Sequence, residues 1–493
     1  TLSSGTRIYI IGAGFAGRGI CEDIRRKEML GEVVAFLDDD PEKIGTRIDG
    51  IPVLGPISDV VNLIKKTPAD EALIAIPSAG RELLRILYER LKEADFERIR
   101  ILPGISQIVD GDAHFIQTRE IDPQDLLGRT PVHINLRESL SYLRGRRVLL
   151  TGAGGSIGSE LARQLLSGGA ERLYLLGHGE NSIYEIDSEL RLLQEEGVGE
   201  RATIVPIVGE LKDREYTRFI LNRLKADVVF HTAAYKHVPM MEANPVAAVE
   251  NNVFGTLHLL QAAREAGTNR FVMISTDKVV EPLSIYGATK QIAERLVLSY
   301  ADREFNCMVV RFGNVLGSRG SIIPLFRKQI LKGGPVTVTD SRAERFFMTI
   351  PEAASLVLKT GGMGDSGELY TLDMGEPVKI RELAEQMVRF YGFEPEEQIA
   401  FREIGLRRGE KLTERLYNPG EHPEPTEHPR VHRVAFDDRE GYCARLSDLL
   451  EALRPVCIRT PGREASYRNR HHLKRALRAV VPSLPVDESE PTY

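Results

Sequence analysis

Two stretches of the chain share one grammar. "RIYIIGAGFAG" (7–17) and "RRVLLTGAGGSIG" (146–158) each run from an apolar, strand-like segment through a glycine-rich turn into a helix-like segment. Such a strand–turn–helix begins a doubly wound parallel sheet, because glycine permits both the tight turn and the close helix–strand packing. The pattern occurs twice, about 140 residues apart, and the 493 residues are enough for more than one core. We therefore expect an α/β protein of two tandem Rossmann-like domains.

The first repeat is followed by "VVAFLDDD" (33–40), "EALIAIPS" (71–78) and "RIRILPG" (98–104), separated by helical patterns such as "RELLRILYERLKEA". This alternation predicts a small α/β domain over 1–118, joined by a connector over 119–145. Gly12, Gly14 and Gly17 with Asp38 or Asp39 at a strand end give that domain the form of a nucleotide-binding unit. The second repeat continues through "RLYLLG", "ATIVPIVG", "DVVFHTAA", "RFVMIST" and "CMVVRFG", apolar runs that suit buried parallel strands. A catalytic domain is expected over 146–458, with a smaller mixed α/β substrate lobe mainly after 320. The stretch 459–493 begins basic and ends in Pro and acids, which predicts a solvated helix and a frayed terminus.

Composition narrows the partners. The 65 basic and 71 acidic residues leave a net charge of −6, which gives no reason to expect nucleic acid. The four cysteines are scattered without CxxC spacing, so neither a disulfide framework nor a metal site is expected, and a reducing compartment is. No apolar run approaches the roughly 20 residues that span a bilayer. The chain opens on "TLSSGTRIYIIG" without Met, which fits a processed start or a piece of something longer.

In the second repeat, Gly152 permits the turn, Gly155 lets the backbone approach a pyrophosphate and Gly158 lets the helix pack closely. Ser156 and Ile157 open that helix, whose free N–H groups and dipole favour an anion. Downstream, Glu210 and Leu211 of "GELKD" follow a strand where an adenine ring could be held. Ala233, Ala234 and Tyr235 of "HTAAYKH" follow the next strand, and Asn252 of "NNVFGT" lies on a following helix. Gly177 and His178 end the second strand, where an acid would grip the adenosine ribose of NAD. That leaves room for the 2′-phosphate of NADP, so either dinucleotide is expected.

In "STDKVVEPLSIYGATK" (275–290), Tyr286 and Lys290 stand four apart on one helical face. A free tyrosine titrates near pH 10, and a close ammonium favours its phenolate. Tyr286 is thus placed to take a hydroxyl proton while a nicotinamide accepts hydride, with Thr276 orienting the hydroxyl. Asp277 and Lys278 have no task in simple alcohol oxidation. At the mouth of the site, an acid and a base could eliminate water beside a new ketone.

The order TGxxGxxG, small residues after a strand, NxxGT, YxxxK and "RFGNVLG" resembles the extended short-chain dehydrogenase/reductases. Together with "AAYKHVPMMEANP", "RFGNVLGSRGSIIPLF", "ERFFMTIPEA" and "GLRRGEKL", the 275–290 segment resembles the bacterial nucleotide-sugar 4,6-dehydratases of polysaccharide biosynthesis. The first domain and "EIDPQDLLGR" are similar to the large members, many of which carry Met where Tyr286 stands here. The resemblance implies a UDP-N-acetylglucosamine substrate, a tightly bound NAD or NADP, a homo-oligomer, and a cytoplasmic setting with membrane helices ahead of the first domain. It implies that Tyr286, Lys290 and Thr276 oxidise the 4-hydroxyl, Lys278 takes the carbon-5 proton and Asp277 protonates the departing 6-hydroxyl. Lys236, Asn314, Arg345, Arg407 and Glu410 are the implied ligands of the diphosphate and uridine. A nucleotide-sugar 4-epimerase would use the same Tyr and Lys without Asp277–Lys278, and a non-catalytic cofactor sensor would need neither.

Overall fold

The computed structural model describes residues 5–26, 31–76, 79–102, 119–120, 140–199 and 201–485. The chain forms two compact units, Thr1–Asn135 and Leu136–Tyr493. Most of the connector, residues 121–139, lies outside the described residues. Its two ends are divided. Arg119–Glu120 completes the sheet of the first unit, and Leu140 and Leu143 are buried in the second.

The first unit has β1 (Arg7–Ile11), α1 (Phe15–Arg26), β2 (Glu32–Leu37), β3 (Glu71–Ile74), β4 (Arg98–Ile101) and β5 (Arg119–Glu120). The sheet order is β2-β1-β3-β4-β5, parallel except for the last pair. Gly12 turns the chain at φ 101°, and a Cβ on Gly17 would lie 2.0 Å from the Gly12 carbonyl oxygen, so α1 packs hard on the turn. The acids after β2 are spent inside the protein. Asp38 accepts from the Ala13 N–H at 2.7 Å and pairs with Lys43 at 3.2 Å, and Asp39 accepts from the Ile57 N–H at 2.8 Å.

The second unit contains β6 (Arg147–Thr151), α2 (Ser156–Ser167), β7 (Arg172–Gly177), α3 (Glu180–Glu195), β8 (Thr203–Val208) and β9 (Val228–His231). Then come α4 (Gly255–Ala266), β10 (Arg270–Thr276), α5 (Ile285–Tyr300), β11 (Asn306–Phe312), α6 (Ile350–Met363) and β12 (Leu369–Leu372). The last are β13 (Glu421–Pro425), β14 (Val431–Phe436), α7 (Leu446–Cys457) and α8 (Arg470–Val480). The sheet runs β8-β7-β6-β9-β10-β11-β12-β14-β13, with β14 antiparallel to both its neighbours. Alternate strand residues point to opposite faces. Leu149, Val229, Phe271 and Met273 join one core with α4 and α5, whereas Phe230 and Val272 meet α6 at Gly361. Helices therefore cover both faces, and chain order reverses between β6 and β9.

Two expectations need correction. The region after 320 is not wholly a separate lobe. It contributes short pairs such as Val336–Val338 with Phe401–Glu403, but it also returns β12, β13 and β14 to the main sheet. Nor is the stretch after 459 a solvated helix. Its α8 packs on α7 and buries Leu473, Leu477, Val481 and Leu484 in the core shared with α4 and α5. Arg295 of α5 donates to the Val480 carbonyl at 3.1 Å. The basic residues of α8 mask an apolar stripe narrow enough to be missed beside "RHHLKR". Leu477→Ala is expected to destabilise the second unit by about 2–5 kcal/mol, read as a lower urea midpoint at unchanged slope. An unchanged midpoint would put the helix back in solvent.

Candidate active site

The reversal of chain order between β6 and β9 opens a crevice beyond the strand ends, the usual place for a ligand in such a sheet. Gly152 turns there at φ 69°, and a Cβ on it would lie 2.7 Å from Thr232 Oγ1 and 2.8 Å from the Ala233 backbone. A Cβ on Gly158 would fall 2.1 Å from the Gly152 carbonyl oxygen, whereas one on Gly155 would meet only that oxygen, at 3.1 Å. Two glycines are thus needed for packing and the third keeps space open before Ser156 and Ile157. This fits a dinucleotide's pyrophosphate.

His178 is exposed after β7 and its ring meets that of Tyr235 edge-on at 6.0 Å, with Lys212 over the same ring. Glu210 pairs with Lys212 at 3.1 Å, and Leu211 is buried. Asn252 differs from its expected part. It is buried, its Oδ1 accepts from the Tyr235 N–H at 2.9 Å, and its Nδ2 donates to the Tyr235 carbonyl and to Thr289. Both ends of the amide serve the protein, so Asn252 shapes the loop carrying Ala233, Ala234 and Tyr235.

The proton-transfer segment folds as the end of β10, one turn of 3-10 helix over Asp277–Val279, and α5. Ser284 caps α5 by accepting from the Gly287 N–H at 3.1 Å. A Cβ on Gly287 would lie 2.2 Å from the Lys278 carbonyl oxygen, so glycine lets α5 press against the Asp277–Lys278 turn. That contact brings Tyr286 beside the pair.

Thr276, Lys278, Tyr286 and Lys290 line one cavity of about 410 Å³, together with Ile157, Ala234, Lys236, Asn314, Arg345, Arg407 and Glu410. Asp277 lies just behind its wall, fully buried. Its Oδ1 accepts from Thr276 Oγ1 at 3.0 Å and from Lys278 Nζ at 3.0 Å, while its Oδ2 has no partner. A Cβ on Gly313 would lie 3.1 Å from that oxygen. Lys278 Nζ also donates to Asn314 Oδ1 at 2.9 Å. Burial alone would lower the pKa of Lys278, but the charges of Asp277 and Glu414 more than offset it, and the ammonium is held above the ordinary lysine range.

Burial raises the Tyr286 phenol above its usual pKa, and the nearby Lys278 charge and Thr276 hydroxyl only partly oppose this. The expected helper was Lys290. Its Nζ instead donates to the Ile274 carbonyl at 2.7 Å, and burial lowers its pKa to about 8. The charge of Lys278 is the one that most opposes the effect of burial on Tyr286.

The expected substrate ligands separate by what they already hold. Asn314 positions Lys278. Arg345 donates to the carbonyls of Glu344, Lys411 and Leu412 at 2.7–3.0 Å, which staples the "GEKL" loop and leaves few donors for a diphosphate. Arg407 and Glu410 pair with each other at 2.9 Å on the cavity wall. Lys236 stands exposed, its pKa lowered by partial desolvation and by Lys278.

Glu414 was missed. It lines the cavity, its side chain is 4% exposed, and burial raises its pKa. Lys411 at 3.7 Å and Arg345 at 4.0 Å bracket its carboxylate. The signal was in "GEKLTE", a carboxylate three residues after a lysine, but nothing there tells a buried acid from a surface one. Among the described residues no group of three or more His, Cys, Asp or Glu could hold a metal, and no helix is long and apolar enough to cross a membrane.

The crevice at the glycine-rich turn opens into a cavity lined by an acid–base cluster, an arrangement that suits a nucleotide-sugar-modifying enzyme of the short-chain dehydrogenase/reductase superfamily. The chain belongs to the polysaccharide biosynthesis protein family, which it matches over residues 148–436. Residues 2–103 match a CoA-binding domain family. The chain is 40% identical over 429 residues to the probable polysaccharide biosynthesis protein EpsC of Bacillus subtilis, covering 87% of this chain and 71% of EpsC. It is 30% identical over 275 residues to an inverting UDP-N-acetylglucosamine 4,6-dehydratase of Campylobacter jejuni, covering 55% of this chain and 77% of that protein. The solved structure of Pen from Bacillus thuringiensis is similar at TM-score 0.52 and 31% identity, over 60% of this chain and 88% of Pen.

The hold of Asn314 on Lys278 is directly testable. A hydrogen bond to a charged group is typically worth enough for Asn314→Leu to slow turnover of a nucleotide sugar about ten- to a hundredfold. The variant should still retain dinucleotide. Unchanged turnover would show that Lys278 needs no such hold.

Proposed function

We propose that the second unit converts a UDP-N-acetylhexosamine, UDP-N-acetylglucosamine first among them, to the 4-keto-6-deoxy sugar by loss of water, for surface polysaccharide. One observation supports this reading: Lys278, on the wall of the cavity that Tyr286 lines, is hydrogen-bonded at 3.0 Å to the buried Asp277 just behind it. Bound NAD or NADP would accept hydride from carbon 4 and return it to carbon 6. Thr276 orients the 4-hydroxyl and Tyr286, in the phenolate form that the Lys278 charge favours, takes its proton. The resulting ketone acidifies carbon 5, Lys278 takes that proton, and Asp277 gives one to the departing 6-hydroxyl, so water leaves. Lys278 then returns a proton to carbon 5 as carbon 6 receives the hydride, and the cofactor ends as it began.

Lys278 must be neutral and Asp277 protonated for this elimination, the reverse of their resting charges. One proton passing from Nζ to Oδ1 across 3.0 Å supplies both forms together. A sugar that excludes water from the cavity favours that exchange, because an ion pair loses more on desolvation than a neutral amine and acid. A 4-epimerase has no use for this pair, which sets the two activities apart.

Incubation with UDP-N-acetylglucosamine should give a product lighter by one water. Asp277→Asn and Lys278→Ala should each lower that yield about a hundred- to ten-thousandfold, the usual worth of a general acid or base, while the dinucleotide stays bound. A product of unchanged mass with carbon 4 inverted would make the protein an epimerase. Near-normal water loss in both variants would leave the pair a structural part only.

A further inference from the structure

One loop of the second unit touches both the cofactor crevice and the sugar cavity. In "VLGSRGS", Ser318, Gly320 and Ser321 line the cavity, and a Cβ on Gly320 would lie 2.4 Å from the His237 ring. Between them Arg319 turns the other way. Its backbone N–H donates to Ser156 Oγ at 3.0 Å, its Nη1 donates to the Gly154 carbonyl at 3.0 Å, and its Nη2 pairs with Glu185 at 2.7 Å. Gly154 itself is pressed on α3, where a Cβ would lie 2.5 Å from Ser182 Oγ. Arg319 therefore crosses the seam where the glycine-rich turn, the start of α2 and α3 meet.

We infer that Arg319 is a strap that keeps the nicotinamide dinucleotide from leaving while its hydride is held. The inference rests on the reading of the Gly152–Gly158 turn as the dinucleotide site. In a reaction that removes hydride and then returns it, a cofactor lost midway strands an oxidised sugar on the enzyme. The geometry answers that need. A loop that forms one wall of the sugar cavity is fastened to the turn facing the pyrophosphate. The Ser156 hydroxyl accepts from Arg319 and so keeps its own hydrogen for a phosphate oxygen. Arg319 and Glu185 are each about 60% exposed, at 62% and 61%, so their pairing alone contributes little to stability. The strap acts on the rate of release more than on folding.

The test is the release rate of dinucleotide from the intact protein, followed by chase with excess fluorescent etheno-NAD. Arg319→Ala is expected to release it at least about tenfold faster, the worth of one or two lost hydrogen bonds, with the thermal midpoint of the dinucleotide-free protein unchanged. Release within twofold of the natural protein would overturn the strap. Should Arg319→Ala not fold, Glu185→Gln replaces it, with faster release expected and unchanged release overturning the inference. If the natural protein neither purifies with a dinucleotide nor binds one, while Gly155→Val behaves identically, the reading of the turn itself fails first.

Discussion

Arg311 ties the working half of the molecule together. Its guanidinium is 1% exposed and bridges Glu294 at 2.7–2.8 Å and Glu421 at 2.6–3.0 Å, with Tyr442 donating to Glu294 at 2.9 Å. Buried charge is tolerable only when fully paired, and removing one partner from such a cluster typically costs about 3–5 kcal/mol. The three charges come from β11, α5 and β13, so the cluster fixes how these elements meet. Tyr286, Lys290 and Glu294 follow at intervals of four along one stripe of α5. Anchoring Glu294 therefore fixes the rotation that aims Tyr286 and Lys290. Just past the end of β11, Gly313 leaves room for Asp277 and Asn314 holds Lys278.

The site built on this frame concentrates opposed charges. Lys278 faces Asp277 and Glu414, Lys411 and Arg345 bracket Glu414, and Tyr286 is raised by burial yet tempered by Lys278. The glycine-rich turn, by contrast, is shaped by sterics, with Gly152 and Gly158 where any side chain would collide with backbone. One unit thus joins a rigid binding turn to an electrostatically poised cavity. The first unit repeats the turn, and there Asp38 and Asp39 bond to its own backbone.

Strand positions and the doubly wound order were legible because buried parallel strands are continuous apolar runs and glycine turns punctuate them. The places of Thr276 at a strand end and of Tyr286 and Lys290 on one helical face were legible for the same reason. The jobs of Asn252, Asn314 and Arg345 were not. Apart from bonds between the neighbours Arg345 and Glu344 and Asn252 and Asn251, each spends its polar atoms on partners between 17 and 67 residues away, and spacing along the chain carries no trace of such pairings. Lys290 was expected to charge the phenol of Tyr286, because four residues apart implies contact. The buried carbonyl of Ile274 claimed its ammonium instead.

The central claim is that hydride removed at carbon 4 returns to carbon 6 of the same sugar while water leaves between them. UDP-N-acetylglucosamine deuterated at carbon 4 tests this in a single turnover followed by NMR and mass analysis. The account predicts a 4-keto-6-deoxy product with the deuterium on its methyl carbon. Deuterium retained at carbon 4, or lost to solvent, would contradict it.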